Sequence, residues 1–161
     1  MQSGRRISEA EEVPRVAAMQ VLEISAQRFL LRFERGEEAL ERLRAFADER
    51  GLGAAMLRGL GAALSAELGF FNLEEKRYER FSVNEETEVV SLLGNLARSE
   101  AGQVIIHAHA TLGRRDGSTL GGHVFTLVTA ATLEIDLEVL PGTLRRQLDP
   151  EITLPLLHSH E

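Results

Sequence analysis

Apolar positions along this chain follow two periods. Residues 28–33, Arg-Phe-Leu-Leu-Arg-Phe, are a compact apolar run that reads as a strand, closed by Arg35-Gly36. Over residues 37–50 the spacing changes: Leu40, Leu43, Phe46 and Ala47 recur at intervals of three and four, which places them on one face of a helix. Glu37 and Glu38 favour the positive N-terminal end of that helix, and Gly51 suits its C-terminal cap. Further strands are expected at 66–72 and 77–81, on either side of the charged turn Leu73-Glu74-Glu75-Lys76, and at 88–93, 104–112 and 124–139. The last is too long for one straight strand, so a bend is expected near Thr129-Ala130-Ala131. Glycines at 51, 53, 59 and 61 punctuate the small-residue segment between helix and strands. Gly59-x-Gly61 lacks the third glycine of a dinucleotide fingerprint and the Lys-Ser/Thr of a P-loop, so close backbone packing is its expected use.

The chemistry concentrates in Val104-Ile-Ile-His-Ala-His-Ala-Thr-Leu112, followed by Asp116-Gly117 and Gly121-Gly-His123. Strand side chains alternate, so His107 and His109 project from one face while Ile106, Ala108 and Ala110 line the other. Asp116-Gly117 suits a reversal, and a returning strand is then able to carry His123 back beside the pair. Gly121 and Gly122 allow close backbone approach or unusual torsions just before it. Three neutral imidazoles on one point make a metal site with an open fourth position, as Zn²⁺ adopts where it also holds water or substrate. A second histidine pair, His158-Ser159-His160, lies in a terminal tail with nothing nearby to fix its geometry.

The same residues carry a family resemblance. Gly59-Leu-Gly61-Ala, Gly69-Phe-Phe-Asn72, Glu88-Val-Val-Ser-Leu-Leu-Gly94-Asn95, the His-x-His strand and Gly121-Gly-His-Val124 together resemble the PPC domain family, shared by plants and prokaryotes, over residues 28–148. The resemblance implies an α+β fold: a compact single domain with a mainly antiparallel β-sheet covered by one main helix, assembled as a homotrimer. It implies His107, His109 and His123 as ligands of a metal ion, and the three-imidazole set makes a divalent ion, zinc first, the expected one. The plant relatives carry AT-hooks that bind the DNA minor groove; this chain has the histidines and no AT-hook.

Composition adjusts this picture at the edges. With 161 residues, 43% of them hydrophobic, the chain is sized for one domain with a sizeable core. Its expected organisation is a flexible arm over 1–19, the folded domain over 20–150 and a tail over 151–161. The absence of cysteine removes disulfides and thiolate ligands and leaves histidine, carboxylate and water. Neither a membrane span nor a signal-peptide core is legible, and a cytoplasmic location is expected by default. Against 25 acidic residues stand 18 basic ones, a net charge of -7 that repels duplex phosphate. The basic pairs, among them Arg114-Arg115 and Arg145-Arg146, read as solvated faces, so DNA is not the expected partner of this chain alone.

Three functions of different classes follow: a trimeric metal-binding domain carrying the family's DNA-binding designation, a metal-dependent hydrolase or lyase acting on a small molecule, and a structural or regulatory module. Glu88, Asn95 and Arg58 are the candidates for accessory chemistry within the resembling motifs. Each has a plainer alternative, a surface pair for Glu88 and Arg58 and a turn after Gly94 for Asn95.

Overall fold

The computed structural model describes residues 18–158. The expected arm falls almost wholly outside them, as do Ser159 and His160 of the tail. Nine strands and one helix follow in chain order: β1 (Gln20–Ser25), β2 (Arg28–Glu34), α1 (Ala39–Glu49), β3 (Ala55–Asn72), β4 (Arg77–Val83), β5 (Thr87–Ser99), β6 (Val104–Gly113), β7 (Thr119–Val139), β8 (Arg145–Leu148) and β9 (Pro155–His158). No helix among the described residues is long and apolar enough to cross a membrane.

The expected α+β class, an antiparallel sheet covered by a main helix, is corrected. The protein is mostly sheet, 65% strand against 8% helix, and the sheet is mixed because β8 runs parallel to β5. The cause lies in three places. β3 starts at Ala55, because the alanine and glycine segment that reads as a connector is strand. β7 is a single element of 21 residues. β1, β8 and β9 lack the apolar alternation that marks a half-buried strand; β1 is exposed throughout.

The pairings close on themselves: β3 pairs with β5, β5 with β6, β6 with β7, and β7 returns to β3. Closure gives the sheet an inner and an outer face. Inward lie Leu57, Leu68, Leu92, Leu96, Ile106, Ala108, Leu112, Leu133, Ile135 and Leu137, all buried. The helix lies against β6 and β7, its apolar stripe of Leu40, Leu43, Phe46 and Ala47 buried in the same core. Glu38 caps it, its carboxylate accepting from the backbone N–H groups of Leu40 and Glu41 and also from Leu127 on β7. Gly51, with φ 62°, ends the last turn as expected.

Two local features shape the closure. Register slips between β3 and β7 where Gly61 faces Leu133 and Ala63 faces Thr129, which is the bend expected near residue 130. At Gly59 and Gly61 an added Cβ would stand 2.8 Å from the Glu134 carbonyl oxygen and 2.4 Å from that of Thr132. These glycines serve close strand packing, as the missing nucleotide fingerprint implied.

Candidate metal centre

The closed sheet brings the three histidines to one point of its outer face. Along β6, Ile106, Ala108 and Ala110 are buried while His107 and His109 point the other way. A turn at Arg114–Ser118, with Gly117 at φ 83° and Asp116 accepting from the Ser118 backbone, reverses the chain so that β7 sets His123 directly opposite His109. Ring centroids of the three lie 5.1 to 5.4 Å apart. The His107 and His109 Nε2 atoms are 3.3 Å apart, and one nitrogen from each ring falls within 4.8 Å of the others. Two nitrogens bound at Zn–N distances in tetrahedral geometry stand about 3.4 Å apart, so small side-chain adjustments suffice to close the cluster on a cation.

The diglycine before His123 has a different use from the one expected. Neither residue has positive φ; instead, a Cβ on Gly121 would approach the Ala110 carbonyl oxygen to 2.8 Å, and one on Gly122 that of Gly69 to the same distance. They let β7 cross tightly between β6 and β3. Gly69 adds room on the opposite side, since its missing side chain leaves space for Phe125 and Tyr78. The rings of Tyr78 and Phe125 each lie 4.8 Å from that of His123. The guanidinium of Arg80 sits 3.7 Å over Phe125.

These surroundings keep two of the imidazoles, those of His107 and His123, neutral. Burial, then the neighbouring histidines and the arginines Arg80 and Arg146, pushes His123 down to about 4. Burial lowers His107 too, helped by Arg146 and His109. Neutral rings offer the lone pairs that a metal requires. His123 Nδ1 is buried without a hydrogen-bond partner, an unmet polar atom of the kind that marks a site awaiting a ligand. On donor chemistry, spacing and unmet hydrogen bonding, the residues fit a divalent cation.

Arg146, on β8, corrects the expectation that Arg145-Arg146 is a solvated face. It is buried, 7% exposed. Its Nη1 donates to the Pro155 carbonyl on β9 and its Nη2 to Asn95 Oδ1 on β5, with His107 Nδ1 3.2 Å from the same Nη2. Burial lowers its basicity, opposed by Tyr78, whose own hydroxyl burial pushes up. Next to it a cavity of about 160 Å³ opens between the histidines and residues 154–156, lined by Tyr78, Ile105, His107, His123, Leu154 and Leu156.

Of the accessory candidates, Asn95 alone reaches the cluster, opposite His107 in register and linked to it through Arg146. Arg58 is engaged with Asp136, which also takes Arg28. Glu88 lies opposite Gly113 at the far end of β6, lining a separate depression with Arg35, Arg114 and Arg115. His158 ends β9 opposite Arg145 and is outside the histidine cluster.

Comparison with known proteins bears on this arrangement. A protein from Bacteroides thetaiotaomicron, designated a candidate DNA-binding protein, superposes with a TM-score of 0.83 at 27% identity, covering 88% of this chain and 98% of its own. A metal-containing protein from Archaeoglobus fulgidus matches with a TM-score of 0.76 at 29% identity, covering 90% of this chain and 99% of its own. A plant- and prokaryote-conserved (PPC) protein from Pyrococcus horikoshii reaches 0.76 at 26% identity, over 89% and 96% respectively. No curated protein matches. With the family's model matching residues 23–141, most of the described fold and all three histidines, the chain belongs to the Plants and Prokaryotes Conserved (PCC) domain family, the PPC family of the sequence resemblance.

Proposed function

We propose that this protein is a homotrimeric metal-binding PCC-domain protein that holds one divalent cation, zinc foremost, on His107, His109 and His123 beside a small-molecule cavity. The observation that carries this reading is the convergence of three imidazoles with nitrogens within 4.8 Å, on strands whose parity and register fix them there. The likeness to a metal-containing relative agrees with it. Three ligands with no fourth among the described residues favour an open position over the closed four-ligand set of a purely structural zinc site.

The adjacent cavity makes a metal-dependent enzyme of hydrolase or lyase type the second reading. A cation bound there supplies Lewis acidity and a bound water whose pKa falls to about 7. The protein's own contribution is to hold His107 and His123 neutral, to border the cavity with apolar Ile105, Leu154 and Leu156, and to place the Arg146 guanidinium beside His107.

Metal analysis of protein purified without an affinity tag tests the primary reading. One divalent ion per chain is expected for the native protein and none for His109→Ala, since two imidazoles at an exposed site hold a cation poorly. Full occupancy in that variant would remove the proposed ligand set.

The DNA-binding designation of the relatives does not transfer well to a chain of net charge -7. Duplex binding is expected no tighter than the non-specific range, roughly 10⁻⁴ to 10⁻⁶ M at physiological salt. A nanomolar, sequence-selective complex at that salt would reverse this.

A further inference from the structure

Among the described residues, Arg146 is a buried guanidinium with no carboxylate partner. Its partners among the described residues are a carbonyl oxygen, an amide oxygen and an imidazole nitrogen, and Nε is buried with no partner at all. Buried charges are ordinarily paired, and a buried arginine without a carboxylate is rare because each unmet donor keeps its desolvation cost. By contrast, among the described residues the ion-paired arginines lie at the surface, and the most enclosed of them, Arg98, meets the Asp48 carboxylate.

The contact with His107 sharpens the point. A guanidinium only donates, so His107 Nδ1 faces it as an acceptor. When Nε2 of a neutral imidazole is taken by a cation, the ring proton resides on Nδ1, and two donors then confront each other. An acceptor from outside resolves the conflict. The cavity beside Arg146 has the matching character: positive at the guanidinium, apolar at Ile105, Leu154 and Leu156.

We propose that Arg146 is the anchor of a binding site for a small organic carboxylate, whose head group meets the guanidinium beside the histidine centre and whose short apolar tail lies against Leu154 and Leu156. This deepens the metal-site reading and rests on it for the cation next to the head group. Planar, bidentate pairing with carboxylate is what a guanidinium does best, and a volume of about 160 Å³ admits only a short chain.

Calorimetric titration with butyrate tests the site, with zinc content measured separately on each sample. Zinc-loaded native protein is expected to bind one butyrate per chain saturably, and Arg146→Gln at least tenfold more weakly with its zinc unchanged. Arg146→Lys, which keeps the charge, should bind more tightly than Arg146→Gln. Butyramide, of the same shape without the charge, should not bind. Equal butyrate affinity in all three proteins, tighter binding of inorganic phosphate than of butyrate, or loss of zinc in Arg146→Gln would each overturn the proposal; the last would make the arginine a support for the histidines. So would tighter butyrate binding after removal of residues 159–161, because the Glu161 side-chain carboxylate would then be the guanidinium's partner. Protein that takes up no zinc yet binds butyrate through Arg146 would sink the metal reading and leave the carboxylate site standing.

Discussion

His123 shows how much a single side chain depends on distant neighbours. Tyr78 and Phe125 flank its ring, room for them comes from the absence of a side chain at Gly69, and the strand that carries it passes between two others only because residues 121 and 122 are glycines. Enclosure then lowers its pKa from 6.5 to about 4. The sign follows from linkage: an unfolded chain takes up a proton on this ring near 6.5, the folded metal-free protein only near 4, so the ring's contribution to stability is complete above 6.5 and is lost as pH falls toward 4. Imidazole NMR of metal-free protein should find His123 titrating near 4. A midpoint close to 6.5 would contradict the enclosure described here. Arg146 teaches the opposite lesson about legibility. Nothing in Arg145-Arg146 distinguishes the two residues, and its burial comes from contacts with Asn95 and Pro155, on strands that the local sequence does not announce as its neighbours.

At the scale of elements, what could be read depended on pattern strength. The helix, β2, β6 and the outline of β7 were legible because their apolar residues repeat at the period of the element they form. The first half of β3 was not, since Ala62, Gly59 and Gly61 have weak strand propensity and become strand only by packing against β7. Likewise, nothing in the sequence revealed that four strands close into a ring, because closure depends on pairings between residues far apart in the chain. The helix offers a test of how it is fixed to that ring. Glu38 satisfies two free N–H groups of α1 and one of β7, so Glu38→Ala leaves three backbone donors without their acceptor. Loss of a helix cap costs about 0.5–2 kcal/mol, and the added tie to Leu127 places this variant at the upper end. Chemical denaturation measures it, and a loss below about 0.5 kcal/mol would mean that the carboxylate is dispensable.

For the whole molecule, the outer face carries exposed apolar side chains that call for a cover. Apolar strand residues close to the histidines do not form that surface, since Val104, Ile106 and Leu127 are buried within the single chain. The uncovered residues are others. On β3, Met56 and Leu60 are 47% and 61% exposed, flanking Arg58, and Leu93 on β5, at 60%, stands opposite both Arg58 and His109. One row of side chains therefore runs from His123 through His109 and Leu93 to Arg58 and Asp136, joining the histidine centre to the apolar patch. Apolar residues grouped on a sheet face favour a partner, and a symmetric assembly of like chains supplies one without any further protein. Light scattering at micromolar concentration should accordingly give three times the chain mass. Leu60→Asp, which puts a charge in the patch without touching the histidines, should shift the mass toward one chain while the metal content of the remaining folded protein is read separately. A native protein of monomeric mass would end the trimer proposal. A trimer unaffected by Leu60→Asp would move the interface to another face, away from the row that leads to the metal centre.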